Sequence, residues 1–126
     1  MSFIKNKDNK EGLFVWTKHS EAKMHQYMLS ESRVKRVIRS PLRVEEGIAP
    51  KTLASMQKAG SKKHPYEIWV MYVIQKSKVG NENFKLGNKI KVISAWKYPG
   101  ITNPGDPIPI PPDIFEEIIK QLGTQT

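Results

Sequence analysis

Tyr66–Gln75 reads "YEIWVMYVIQ", and this stretch decides the fold. Alternate positions on either side of it are both apolar, so a strand built from it buries both faces. A strand of that kind belongs in the middle of a sheet, with a layer of structure packed on each side.

The return strand is "KIKVISAWKY" (89–98), joined to the first by "KSKVGNENFKLGN" (76–88), a long polar segment read as an elaborated hairpin connection. On the other side, "LRVEEGI" (42–48) and "TLASMQK" (52–58) alternate with period two and flank Ala49-Pro50. Earlier still, "LFVWT" (13–17) is a short β-rich run, and "KHSEAKMHQYML" (18–29) follows with Met24, Tyr27 and Met28 at helical spacing. Ser30 is a good N-cap for a second helix, "ESRVKRVIRS" (31–40), which Pro41 ends. Val34, Val37 and Ile38 share one face of it, while Arg33, Lys35, Arg36 and Arg39 fan over the other.

Residues 99–112, "PGITNPGDPIPIPP", hold six of the nine prolines and predict an extended arm. A last helix, "IFEEIIKQL" (114–122), follows with an Ile114/Ile118/Leu122 stripe, an Asp113–Glu116 capping pair and Gly123 as its stop. The expectation is an α+β domain: a small, mostly antiparallel sheet with two N-terminal helices on one face, then a proline arm and C-terminal helix. Its parts divide as a loose leader at 1–11, a folded domain at 12–98, and the arm with its helix at 99–126.

Bulk composition narrows the chemistry. The 126 residues are 38% hydrophobic and 26% charged, which suits one domain with one core. No run approaches the roughly 18 apolar residues of a membrane span, and the polar start carries no secretory h-region. A cytoplasmic location is the default expectation. Cysteine is absent, which excludes a disulfide framework, a thiolate metal site and a cysteine nucleophile. His19, His25 and His64 have no acid pair at ligand spacing, so neither a metal nor another cofactor is expected. Phosphate-cradling glycine loops are missing, and Ser94 precedes no nucleophile-elbow glycine.

Charge is the informative quantity. Net charge is +9, but residues 99–126 contain four acids and one base, leaving 20 bases against 8 acids in the first 98. Such asymmetry favours a polyanionic partner, nucleic acid or an acidic protein, and RNA or the ribosome is the partner expected. RNA cleavage without metal needs a base, an acid and cations for the phosphorane. His19, Glu67, Lys97 and Tyr98 are the candidate acid–base groups. Arg33, Lys35, Arg36, Arg39 and Arg43 are the phosphate-binding candidates, with Trp96 a ring on which a base can stack. Each has a structural alternative: His19 bonded to a neighbouring strand, Glu67 paired with a lysine across the sheet, the arginine fan as a solvated face, and Trp96 on the core side with Ser94, Val92 and Ile90.

"WTKHSEAKM" (16–24), the helix ending in "VIRSP" (37–41), and the return through "EIWVMYVIQ" (67–75) and "KVISAW" (91–96) together resemble the BrnT-like toxins of the RelE/ParE superfamily, and still more the uncharacterised small proteins related to them. Lys18-His19 and "ISAW" (93–96) are the matching positions, and the likeness spans about residues 13–98. The resemblance implies a small antiparallel sheet with two N-terminal helices, metal-independent ribonuclease activity, and an antitoxin protein as partner. Where those toxins place arginine after "ISA", this chain has Trp96, and Lys97 is the adjacent cation. The alternative reading is a non-catalytic module that docks RNA with its basic face or a protein with its proline arm.

Overall fold

The computed structural model describes residues 13–75 and 88–123. The expected leader (1–11) and nearly all of the expected hairpin connection (76–88) lie outside the described residues. In chain order the elements are β1 (Leu13–Trp16), α1 (Lys18–Gln26), α2 (Glu31–Arg39), β2 (Arg43–Glu46), β3 (Thr52–Gly60), β4 (Pro65–Gln75), β5 (Lys89–Pro99) and α3 (Pro112–Gly123). The strands form one five-stranded sheet in the order β1-β5-β4-β3-β2. All neighbours are antiparallel except β1, which runs parallel to β5. The class is α+β with a mixed sheet.

β4 lies at the centre and buries both faces. Ile68, Val70 and Tyr72 point to one side, where Met24 and Leu29 and then Val34 and Val37 of α2 pack on them. Trp69 and Met71 point to the other, against Met56, Ile93, Trp96, and Ile114 and Ile118 of α3. The proline arm closes this second face: Ile108 and Ile110 pack on it, and Trp96 Nε1 donates to the Pro109 carbonyl at 2.9 Å. Both sides of the sheet are therefore covered, α1 and α2 on one, arm and α3 on the other.

The helix boundaries follow from local chemistry. Thr17 caps α1, accepting from Ser20 N at 3.0 Å, and Ser30 caps α2, accepting from Arg33 N at 3.1 Å. After α1, Leu29 N donates to Met24 O at 2.7 Å and Met28 N to His25 O at 3.1 Å. This pair of bonds is a Schellman closure, with Met28 in the left-handed region at φ 58° where glycine is usual. At the start of α3 the expected Asp113–Glu116 capping pair gives way to another arrangement. Pro112 is the first helical residue, a position where its missing N–H costs nothing. Asp113 instead reaches Lys23 Nζ on α1 at 2.6 Å.

β5 departs from simple alternation. Met71 pairs with Ser94 but Tyr72 pairs with Val92, so one residue is inserted between them. Ile93 and Trp96 consequently face α3, whereas Ile90, Val92 and Ala95 face α1 and α2. The expected grouping of Trp96 with Val92 and Ile90 is corrected by this bulge. β1 pairs only with Lys89–Val92. From there Thr17 bonds the carbonyls of Val92 and Ile93, each at 3.3 Å, and α1 runs on from it.

Candidate functional site

Among the described residues, α2 carries a group of four cations, Arg33, Lys35, Arg36 and Arg39. Val34 and Val37 anchor it to the sheet at zero exposure, which leaves Arg36 and Arg39 exposed and Arg33 half-buried at the flank. Together with Ser30, Ser32 and Ser40 these arginines line one open groove, with no acidic side chain among its described lining residues. Gln57 of β3 fixes the helix from below. Its side-chain amide donates to the carbonyl of Ser40 (2.7 Å), past the helix end, and to that of Arg36 (3.3 Å), which also accepts from Ser40 N (2.9 Å), and its oxygen accepts from Arg33 Nη1. Burial and the neighbouring Arg36 lower the pKa of Arg33 from its ordinary value, and Tyr66 opposes them. The guanidinium stays charged, because an arginine begins so far above neutral pH.

The cationic surface continues on this side of the sheet. Lys35 Nζ and the Arg39 guanidinium sit 5.1 and 5.8 Å from the centre of the Phe14 ring, and Phe14 stacks on Trp16. Lys97 Nζ lies 5.2 Å from the centre of the Tyr66 ring. Beyond them, Ser61–His64 joins β3 to β4 and exposes Lys62, Lys63 and His64. Sequence reasoning did not single out Lys62 and Lys63. The signal available was two lysines in a short polar turn between strands.

The remaining candidates are placed elsewhere. Arg43 belongs to the opposite face, where it pairs with Glu45 at 2.8 Å, bonds Thr102 Oγ1 at 2.6 Å and lies over Trp69. Trp96 is fully buried and stacked on Trp69 at 6.4 Å with the planes 9° apart, so it offers no ring face to a base. Glu67 is also fully buried, and its partners are not a lysine. It accepts from Trp69 Nε1 (2.9 Å), Thr102 N (2.7 Å) and the Thr102 hydroxyl (3.0 Å). A carboxylate so engaged is a clamp on the first residues of the arm.

His19 is half-buried on α1, and its Nε2 lies 3.0 Å from Ser94 Oγ, across the bulge. Burial is the main cause of its lowered pKa, with Lys23 adding to the effect and Glu117 and Asp113 of α3 opposing it. A serine beside a histidine invites a nucleophilic reading. Ser94 has no exposed surface, however, so its hydroxyl is beyond a substrate's reach. Lys97 shares the α1–α2 side with Ile68, its pairing partner, while Tyr98, paired with Glu67, packs with the α3 cluster. Adjacent residues of a strand project to opposite faces. The four acid–base candidates are thus divided between two faces, and of the ten candidate residues only Arg33, Lys35, Arg36, Arg39 and Lys97 share one surface.

Among the described residues no cluster of three or more histidine or acidic side chains stands at metal-holding distance, and no helix is long and apolar enough to cross a membrane. No protein-family model, no curated protein and no solved structure matches this chain.

Proposed function

We propose that this protein binds RNA through phosphate contacts on the α2 face and does not cut it. The observation that supports the reading is the groove that Arg33, Arg36 and Arg39 line together with three serines. Guanidinium forks and hydroxyls are the groups that recognise phosphate oxygens. Lys97 and the Lys62–Lys63 turn extend the positive field, so that a polyanion meets several cations at once. The RelE/BrnT-like arrangement belongs to the same proposal. It fits the two helices that precede an antiparallel core, with the toxin chemistry left out because His19, Glu67, Lys97 and Tyr98 do not converge. An antitoxin partner has no role in this reading.

The test is binding of a labelled RNA across a salt series. With three or four phosphate contacts, log K should fall against log salt with a slope of about −2 to −4. Arg36→Ala and Arg39→Ala should each flatten that slope by about one contact's worth, roughly 0.7–0.9. Binding without salt dependence, or slopes unchanged in both variants, overturns the reading. RNA cleavage that disappears in His19→Ala would restore the ribonuclease alternative.

A further inference from the structure

The outer edge of β2 has a backbone and charge pattern that complements itself. β2 ends the sheet, with β3 on one side and no strand on the other among the described residues. Gly47 N bonds Thr52 O at 2.8 Å, and Leu42 N bonds Met56 O beside the Arg43–Met56 pair. In an antiparallel ladder the bonded positions alternate. The backbone groups of Arg43, Glu45 and Gly47 therefore turn toward β3, and those of Val44 and Glu46 turn outward. Val44 is half-exposed and Leu42 more so, which puts an apolar pair on this free edge.

We propose that two copies of this chain join edge to edge through β2, antiparallel and centred on Val44. Only three registers let the outward groups of one copy bond those of another. Centring on Glu45 sets two Glu45 carboxylates directly opposite, and centring on Glu46 does the same for Glu46; like charges in that position destabilise a strand pair. Centring on Val44 sets valine against valine and Arg43 opposite Glu45 of the second copy, twice over. Arg43 and Glu45 already pair within one chain at 2.8 Å, so the two chains bring together four charges of alternating sign. The contact is isologous, with its two-fold axis normal to the sheet. It forms a ten-stranded sheet, and because the axis is normal to it, both copies turn the same face the same way. The α2 grooves then lie on one side of the dimer. The interface is short, which places it in the weak, concentration-dependent class. None of this depends on the RNA proposal.

Two measurements test it on the full chain. Sedimentation or light scattering should show monomer giving way to dimer as concentration rises. Amide exchange at Val44 should slow with concentration, while Arg43 and Glu45 stay equally protected throughout. Val44→Pro removes the outward N–H without touching the inner ladder, and should weaken association at least tenfold with an unchanged far-UV spectrum. Val44→Lys, which sets two ammonium groups opposite, should do the same and serves if the proline variant fails to fold. A chain that stays monomeric up to about 1 mM, or a dimer that withstands both variants, overturns the proposal.

Discussion

Replacing Glu67 by glutamine separates a structural carboxylate from a catalytic one. The Glu67 oxygens accept from three donors, the Trp69 indole N–H, the Thr102 N–H and the Thr102 hydroxyl, and Arg43 donates in turn to that hydroxyl. Glutamine has one acceptor oxygen and a donor NH₂. In either orientation the NH₂ confronts a fixed N–H: that of Thr102 in one, that of Trp69 in the other. One buried donor is left unpaired, at about 1–3 kcal/mol. The bonds that survive lose their charge assistance, at about another 1 kcal/mol in total. Glu67→Gln should therefore cost about 2–4 kcal/mol, a large share of a marginal stability. Urea unfolding followed by tryptophan fluorescence reads the change directly, since Trp69 is one of the partners, and the melting temperature should drop by about 10 °C. A variant as stable as the parent, or more so, would refute the clamp and return Glu67 to the list of reactive groups.

Three further predictions address the packing, α1 and its closing turn. Ile118→Ala removes a fully buried side chain from the α3 cluster and should cost about 2–5 kcal/mol in chemical denaturation; a loss under about 1 kcal/mol would mean that α3 is not part of the core. His19 has a folded-state pKa below its ordinary 6.5, so the unfolded chain takes up that proton first. Its contribution is complete above pH 6.5 and falls as pH drops from there through the lower folded value; His19→Gln should remove that slope, and superimposable pH–stability curves would contradict it. Met28→Gly relieves a left-handed non-glycine residue and should stabilise by about 1 kcal/mol, visible as a higher urea midpoint at constant slope.

Much of the architecture was legible because short-range rules and tertiary demands agree over most of the chain. "YEIWVMYVIQ" is apolar on both faces, and β4 is the central strand with a layer on each side. The α2 stripe of Val34 and Val37 is buried as its spacing requires, and Ser30 caps where its hydroxyl predicts. What failed to show was the long-range part. Glu67 acquires its partners from Thr102, 35 residues away, and no local pattern announces that contact. Arg43 sits only four residues after Arg39 in sequence, yet the turn at Pro41 carries it to the other face of the sheet, under the arm. The Lys23–Asp113 ion pair, spanning 90 residues, likewise replaces a local cap that the sequence favoured.

The extra residue at Ile93 acts as a change of phase in β5. Every side chain after it stands where its odd or even number, counted from the start of the strand, would not have put it. Deleting Ile93 would close the bulge and leave both halves of β5 in their present pairing, Tyr72 with Val92 and Met71 with Ser94, so that Trp96 and Lys97 keep their faces and only the Ile93 side chain is lost from the α3 cluster. The second half of β5, the arm and α3 thus keep step with the first half through one insertion, and it is a single-residue deletion or insertion elsewhere in the strand that would turn one half over. The same parity governs comparison by short motifs. Four letters such as "ISAW" preserve order along a chain but carry no information about which side of a sheet the fourth letter faces. An arginine introduced at position 96 would arrive beneath the proline arm, among isoleucines, rather than on the cationic surface of α2.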